Sequence, residues 1–188
     1  MEQEFLKDII ARLEQTGVSY AITGSVASNL WGTPRTTHDV DVVVVLSKAD
    51  VERIVTAFSA RYYVSDIAVK DAVARSSMFN VIDFTKSLKA DMWVTQADPF
   101  NQSMLSRRRR VEIVPGQEAY VGTPEDVLLH KLVWHTITPS ERQLADAAGV
   151  AAVQAGSLDL DYMRTWAVRQ GTSELLEEVL QGKYLKKT

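Results

Sequence analysis

Phe5, Leu6, Ile9, Ile10 and Leu13 recur at three- and four-residue spacing, which predicts an amphipathic helix over residues 2–16 that Gly17 ends. Tyr20-Ala21-Ile22 follows as a short strand, and a helix runs from Val26 to Trp31 before Gly32. The polar stretch Thr33-Pro34-Arg35-Thr36-Thr37 is a loop. Residues 39–45 then become apolar on both faces after Asp39 and Asp41, the pattern of a central, covered strand. Ser47 caps a helix through about Ala60. Residues 61–77 carry a weaker pattern, read as loop with a strand near Val64 and a short helix around Lys70–Ala74. Met78–Phe84 and Leu88–Val94 form a hairpin around Thr85-Lys86-Ser87. A helix over Asp98–Ser106 and two short strands, Val111–Val114 and Ala119–Val121, joined at Pro115-Gly116, complete this part.

From Thr123 the period changes to a helical one. Thr123 caps, Pro124 takes the first helical position, and Glu125 and Asp126 favour the positive helix end. Helices are expected at about 124–136, 139–154, 158–170 and 172–181, with Lys183–Thr188 fraying. The fold class is therefore α/β in the α+β sense: a mixed sheet with flanking helices over residues 1–122, then a helical C-terminal part over 123–188.

Composition changes this picture little. The 188 residues are 46% apolar and 24% charged, ordinary values that supply ample core. A formal net charge of −3 argues against a generally basic, nucleic-acid-coating surface while allowing a local patch. The absence of cysteine removes disulfides, thiolate metal sites and cysteine nucleophiles. An acidic start and the lack of any long apolar run lead us to expect a cytoplasmic protein with no membrane partner.

The chemistry-bearing pattern is Gly24-Ser25, thirteen further residues, then Asp39-Val40-Asp41 leading into the valine run. A small-residue turn opening a helix presents backbone N–H groups that attract phosphate oxygens. Side chains two apart on a strand share a face, so Asp39 and Asp41 together can hold a hard divalent cation. Singly, the turn is an ordinary strand-to-helix junction; carboxylates at the head of an apolar strand are rarer. Combined, they point to phosphoryl transfer, which calls for a third carboxylate. Asp83 and Asp91 are the candidates. Asp83 is expected opposite Lys89 in the hairpin as a structural ion pair, whereas Asp91 sits on an apolar strand with no obvious local partner, so Asp91 is preferred.

These motifs resemble the DNA polymerase β-type nucleotidyltransferase superfamily. Gly24-Ser25-Val26-Ala27 with Pro34-Arg35-Thr36-Thr37-His38-Asp39-Val40-Asp41 looks like its AbiEii-type branch. The Asn80–Asp83 and Lys89–Asp91 segments resemble that branch's third-acid element, and Pro124-Glu125-Asp126 with Lys131-Leu132 resembles its helical segment. The resemblance spans about residues 18–155. It implies transfer of a nucleoside monophosphate from an NTP, with Mg²⁺ or alternatively Mn²⁺, to the hydroxyl of an unidentified acceptor: small molecule, protein or RNA. Nucleic acid would enter only as that acceptor. In this reading Asp39, Asp41 and Asp91 bind metal and catalyse, while Gly24, Ser25, Arg35, Thr37 and Lys131 bind nucleotide. The competing class is a nucleotide-binding regulatory module without turnover, of toxin–antitoxin type.

Each remaining candidate has a plainer alternative. Ser25 could simply cap its helix; Arg35 could be solvated or pair with nucleotide or with Asp41; Thr37 could support the acidic strand; Lys131 could be solvated. His38, His130 and His135 lack metal-ligand spacing and read as structural. Arg142 and Asp146, four apart, suit a local ion pair. Arg107-Arg108-Arg109-Arg110 is either a solvated run or an attractor of a polyanionic acceptor or triphosphate.

Overall fold

A computed structural model describes residues 3–95 and 98–185. The chain order begins α1 (Gln3–Thr16), β1 (Tyr20–Thr23), α2 (Gly24–Trp31), β2 (Asp39–Val44), α3 (Val51–Ser59), α4 (Asp66–Arg75), β3 (Met78–Asp83) and β4 (Leu88–Val94). It continues with α5 (Pro99–Arg107), β5 (Arg109–Val114), β6 (Gln117–Val121), α6 (Pro124–Ile137), α7 (Glu141–Val153), α8 (Leu160–Gln170) and α9 (Ser173–Leu180). Contacts group the chain into two units, Met1–Thr23 with Thr36–Val121, and Gly24–Arg35 with Gly122–Thr188. The second unit thus takes α2 and the loop after it from the N-terminal stretch.

The first unit is built on a six-stranded sheet of order β3-β4-β2-β1-β6-β5. β2 runs parallel to β4 and β1 parallel to β6; the β1–β2, β3–β4 and β5–β6 pairs are antiparallel. This is the mixed α/β sheet expected from the pattern. Val40, Val42, Ala90 and Met92 share one face and are buried, which is why β2 and β4 read as central. On the other face Ala21, Val43 and Trp93 pack with Met104 and Leu105 of α5. Further along that face lie the acids.

Three segments differ from the pattern-based reading. The ambiguous stretch before β3 holds a full helix, α4, capped by Ser65 Oγ accepting from the Ala68 N–H at 3.3 Å. Instead of a strand near Val64, Tyr63 makes a single antiparallel bridge to Ile82. After Ser47 the chain first makes a 3₁₀ turn over Lys48–Asp50, where Asp50 accepts from the Ser47 N–H at 2.8 Å. Lys183 and Tyr184, expected to fray, both bond Glu178; residues 186–188 and Glu2 lie outside the described residues.

The second unit is helical. Gly32 follows α2 and lies against α7 so closely that an added Cβ would stand 2.7 Å from the Val150 nitrogen. Trp31 Nε1 donates to the Gly122 carbonyl at 2.8 Å, and Gln154 Nε2 donates to the Trp31 carbonyl at 2.8 Å. Thr123 caps α6 by accepting from the Asp126 N–H at 3.3 Å, as its sequence context predicts. Glu125 and Asp126 are buried: Glu125 accepts from the Asp159 N–H, and Asp126 accepts from the Tyr162 hydroxyl. These acids therefore fasten α8 to α6 in addition to favouring the helix end.

Candidate active site

In the first unit, strand register assembles an acidic row. Asp41 pairs with Asp91 across β2–β4, Asp91 with Asn80 across β4–β3, and Thr23 with Asp41 across β1–β2. Directly paired residues share a sheet face on strands about 4.8 Å apart, so the four side chains stand side by side. Asp39 and Lys89 form the adjacent pair on that face. Asp39 is half-exposed, whereas the Asp91 side chain is only 10% exposed. Thr37, buried just ahead, donates its hydroxyl to the Asp39 carbonyl at 3.3 Å and so braces the start of β2.

The expected Asp83–Lys89 pairing does not form. Asp83 stands opposite Leu88, and Lys89 opposite Ile82, one residue off the anticipated register. Asp83 instead closes the hairpin, accepting from the Thr85 hydroxyl at 2.6 Å and the Thr85 N–H at 2.9 Å. These bonds outweigh desolvation and hold its carboxyl below the usual carboxylate range. Nor is Asp91 without local partners: it accepts from Asn80 Nδ2 on one oxygen and from Lys89 Nζ, at 2.7 Å, on the other. Lys89 Nζ is also 3.8 Å from Asp39. Burial alone would lower the Lys89 pKa, but Asp91, with Asp39 and Asp41 behind it, raises it above the ordinary lysine value. Lys89 and Asn80 are the partners of Asp91 that the sequence reading did not assign to it. Lys-x-Asp on one strand puts both side chains on one face, a signal that period-two reading could have used.

Among the described residues, no three His, Cys, Asp or Glu side chains form a ready-made ligand group. The donor set nevertheless suits a hard cation: carboxylate oxygens only, on adjacent strands, on one face. Three carboxylates against the one Lys89 ammonium leave two negative charges among these four groups, so the residues fit a divalent ion in charge as well as in ligand type.

The second unit holds the remaining candidates. Gly24 opens α2 with φ +60°, a left-handed backbone conformation that glycine adopts without strain. Ser25 Oγ accepts from Arg35 Nη2 at 2.7 Å. Arg35 also donates from Nε and Nη2 to the two Asp146 oxygens, both at 2.7 Å, a bidentate pair. Its backbone is clamped by Asn29, which accepts from the Arg35 N–H and donates to the Arg35 carbonyl. Lys131 Nζ donates to Asp146 at 2.9 Å and, far from being solvated, is buried. Burial opposes the Asp146 charge, yet Arg35 and Lys131 hold its carboxyl below the usual range. The local Arg142–Asp146 pair is thus replaced by long-range partners, and Arg142 is exposed. Arg35 pairs with Asp146, a partner its sequence context did not suggest.

The arginine run divides. Arg108 bonds the Leu105 carbonyl and stacks on Tyr120, and Arg110 pairs with Glu118 at 3.0 Å, while Arg109 points to solvent. His135 Nδ1 accepts from the Ser140 N–H at 3.1 Å, a structural role; His38 is exposed.

No protein-family model and no curated protein matches the chain. Solved structures do. An antigenic nucleotidyltransferase-like protein from Paracoccidioides brasiliensis superposes with a TM-score of 0.53 at 16% identity, over 97% of this chain and 93% of its own. A Thermotoga maritima protein assigned as a nucleotidyltransferase gives 0.50 at 20% identity, over 74% and 88%. The antibiotic-resistance factor ANT(2″)-Ia, in complex with adenylyl-2″-tobramycin, gives 0.50 at 12% identity, over 97% and 95%. At these identities the likeness is one of fold, and the fold is that of nucleotidyltransferases. No helix among the described residues is long and apolar enough to cross a membrane.

Proposed function

We propose that the chain is a divalent-metal-dependent nucleotidyltransferase that moves a nucleoside monophosphate from an NTP to an acceptor hydroxyl. The observation that carries this reading is the Asp41–Asp91 pairing with Asp39 beside it, on the sheet of a nucleotidyltransferase fold. Asp39, Asp41 and Asp91 would hold Mg²⁺, or alternatively Mn²⁺, which when bound supplies charge neutralisation for the triphosphate and the pentacoordinate transition state. Gly24 and Ser25, at the N-terminus of α2, would offer backbone N–H groups to phosphate oxygens. Arg35 and Lys131 would set the charge and position of that turn through Asp146 and would bind nucleotide, while Thr37 would hold the acidic strand in register.

In the reaction the acceptor oxygen forms a bond to the α-phosphorus and the bond from that phosphorus to the bridging oxygen breaks. Pyrophosphate leaves with the electron pair, and the hydroxyl proton passes to a carboxylate of the acidic set, for which Asp91 is our choice. The AbiEii-like assignment rests on the sequence motifs above. An adenylylated product hydroxyl in the ANT(2″)-Ia complex supports a hydroxyl acceptor of the small-molecule kind. Incubation with each α-labelled NTP, Mg²⁺ and a lysate, followed by identification of the labelled species, tests the reading. Label transfer that Asp41→Asn abolishes is expected; transfer undiminished in both Asp39→Asn and Asp41→Asn overturns it.

The second reading, a nucleotide-binding regulatory module without turnover, gains from the Lys89 ammonium already on Asp91. NTP binding with no labelled product under any acceptor mixture would favour it.

A further inference from the structure

Lys89 lies on the acidic face, paired with Asp39 and next to Asp91. Its ammonium is 2.7 Å from Asp91 and 3.8 Å from Asp39, and its strand pairing with Asp39 places it next to the Asp41–Asp91 row. The amine therefore takes the position in which one cation can touch carboxylates from both strands. Asp91 is the buried member of the set, and its two oxygens are divided between Asn80 and Lys89. Asn80 is neutral and holds one oxygen in place; Lys89 is the charge that satisfies the other.

We infer that Lys89 is a resident counter-cation that competes with the divalent metal for Asp91, so that metal binding requires its ammonium to withdraw from the Asp91 oxygen. This rests on the reading of the three acids as metal ligands and adds a control to that site. The Lys89 side chain is 41% exposed, so the long stem has solvent into which it can swing. Without divalent cation the lysine keeps the carboxylates from repelling one another and keeps Asp91 from serving as a proton acceptor. Once the ammonium has left, that Asp91 oxygen is open to the divalent cation, and the released charge stays tethered to the same strand as Asp91.

The test is Mn²⁺ binding to the full-length, nucleotide-free protein, followed by the EPR signal of free Mn²⁺, with Mg²⁺ competition as a second measure. Removing a half-exposed unit charge that stands 2.7 Å from Asp91 and 3.8 Å from Asp39 should tighten Mn²⁺ binding by about tenfold in Lys89→Gln. Lys89→Arg, which keeps the charge, should stay within about twofold of wild type by the same argument. Adding Asp41→Asn to Lys89→Gln should abolish the gain. If Lys89→Gln binds Mn²⁺ no more tightly than wild type, while binding remains sensitive to Asp41→Asn, the competition is refuted and the metal-site reading stands. If neither protein binds Mn²⁺ through Asp41 even with saturating NTP, both fall together. Circular dichroism of each variant identifies any that fails to fold, and Lys89→Arg against Lys89→Gln then separates charge from packing.

Discussion

Asp146→Asn isolates the buried ion cluster of the helical unit with the smallest change in shape. The substitution removes the carboxylate charge that Arg35 and Lys131 share, at 2.7 and 2.9 Å, while keeping the volume. The side chains of Lys131 and Asp146 are 4% and 6% exposed, so solvent offers little compensation. Breaking a buried pair by removing one partner costs about 3–5 kcal/mol, because the remaining charge stays in a poorly solvating site. The lower end is appropriate here, since Asn still accepts a hydrogen bond, so we expect about 3 kcal/mol. For a chain of this size that corresponds to a fall in Tm of roughly 6–12 °C. Thermal and urea unfolding read it directly. The pH dependence adds a check on mechanism. Asp146 has a lowered native pKa, so its contribution is present above the unfolded carboxylate pKa of about 3.9 and is lost as pH falls through the lower native value. The gap between wild type and Asp146→Asn should therefore be constant at neutral pH and close only in acid. A loss below about 1 kcal/mol, or one no larger than that of the exposed Arg142→Gln on the same helix, would refute this account.

Asp39→Asn and Asp41→Asn should each lower nucleotidyl transfer at least about a hundredfold, with melting within about 0.5 kcal/mol of wild type, by label transfer and calorimetry. Asp91→Asn should lose activity likewise, whereas Asp83→Asn should keep it and show only a loosened β3–β4 turn, seen as faster amide exchange at Thr85 and Lys86. Gly32→Ala should destabilise by about 1–3 kcal/mol in urea, because its Cβ would meet α7 backbone at 2.7 Å; an unchanged midpoint would show that α2 shifts away freely.

Local periodicity and turn chemistry made much of the fold legible. The 3.6-residue repeat of Phe5 to Leu13, the double-sided valine strand and the Thr123-Pro124 start each carry their signal within a few residues. The stretch 61–77 was not legible, because α4 has a shallow apolar face of Val69, Ala72 and Val73 that a short window barely distinguishes from loop. The Tyr63–Ile82 bridge depends on a strand nineteen residues away and leaves no trace nearby.

The candidate site divides along the same line. Asp39 and Asp41 announce themselves because two carboxylates at the head of a buried strand are costly without a counter-charge. Hairpin register is a subtler quantity: Asp83 bonds the Thr85 hydroxyl and N–H in the turn, the pairing sits one residue away from the expected point, and that single step takes Asp83 off the face that Lys89 shares with Asp91. Asp146 lies 111 residues from Arg35 and 15 from Lys131, and a carboxylate four residues from Arg142 has an obvious local explanation. Only the packing of α2 against α6 and α7 reveals which cation it serves. For Asp146, then, the charged residue nearest in sequence is a poor guide to its pairing, because the carboxylate is buried. Desolvation raises the cost of an imperfect partner, so the bidentate geometry of Arg35 prevails over the i, i+4 proximity of Arg142, which keeps its hydration instead.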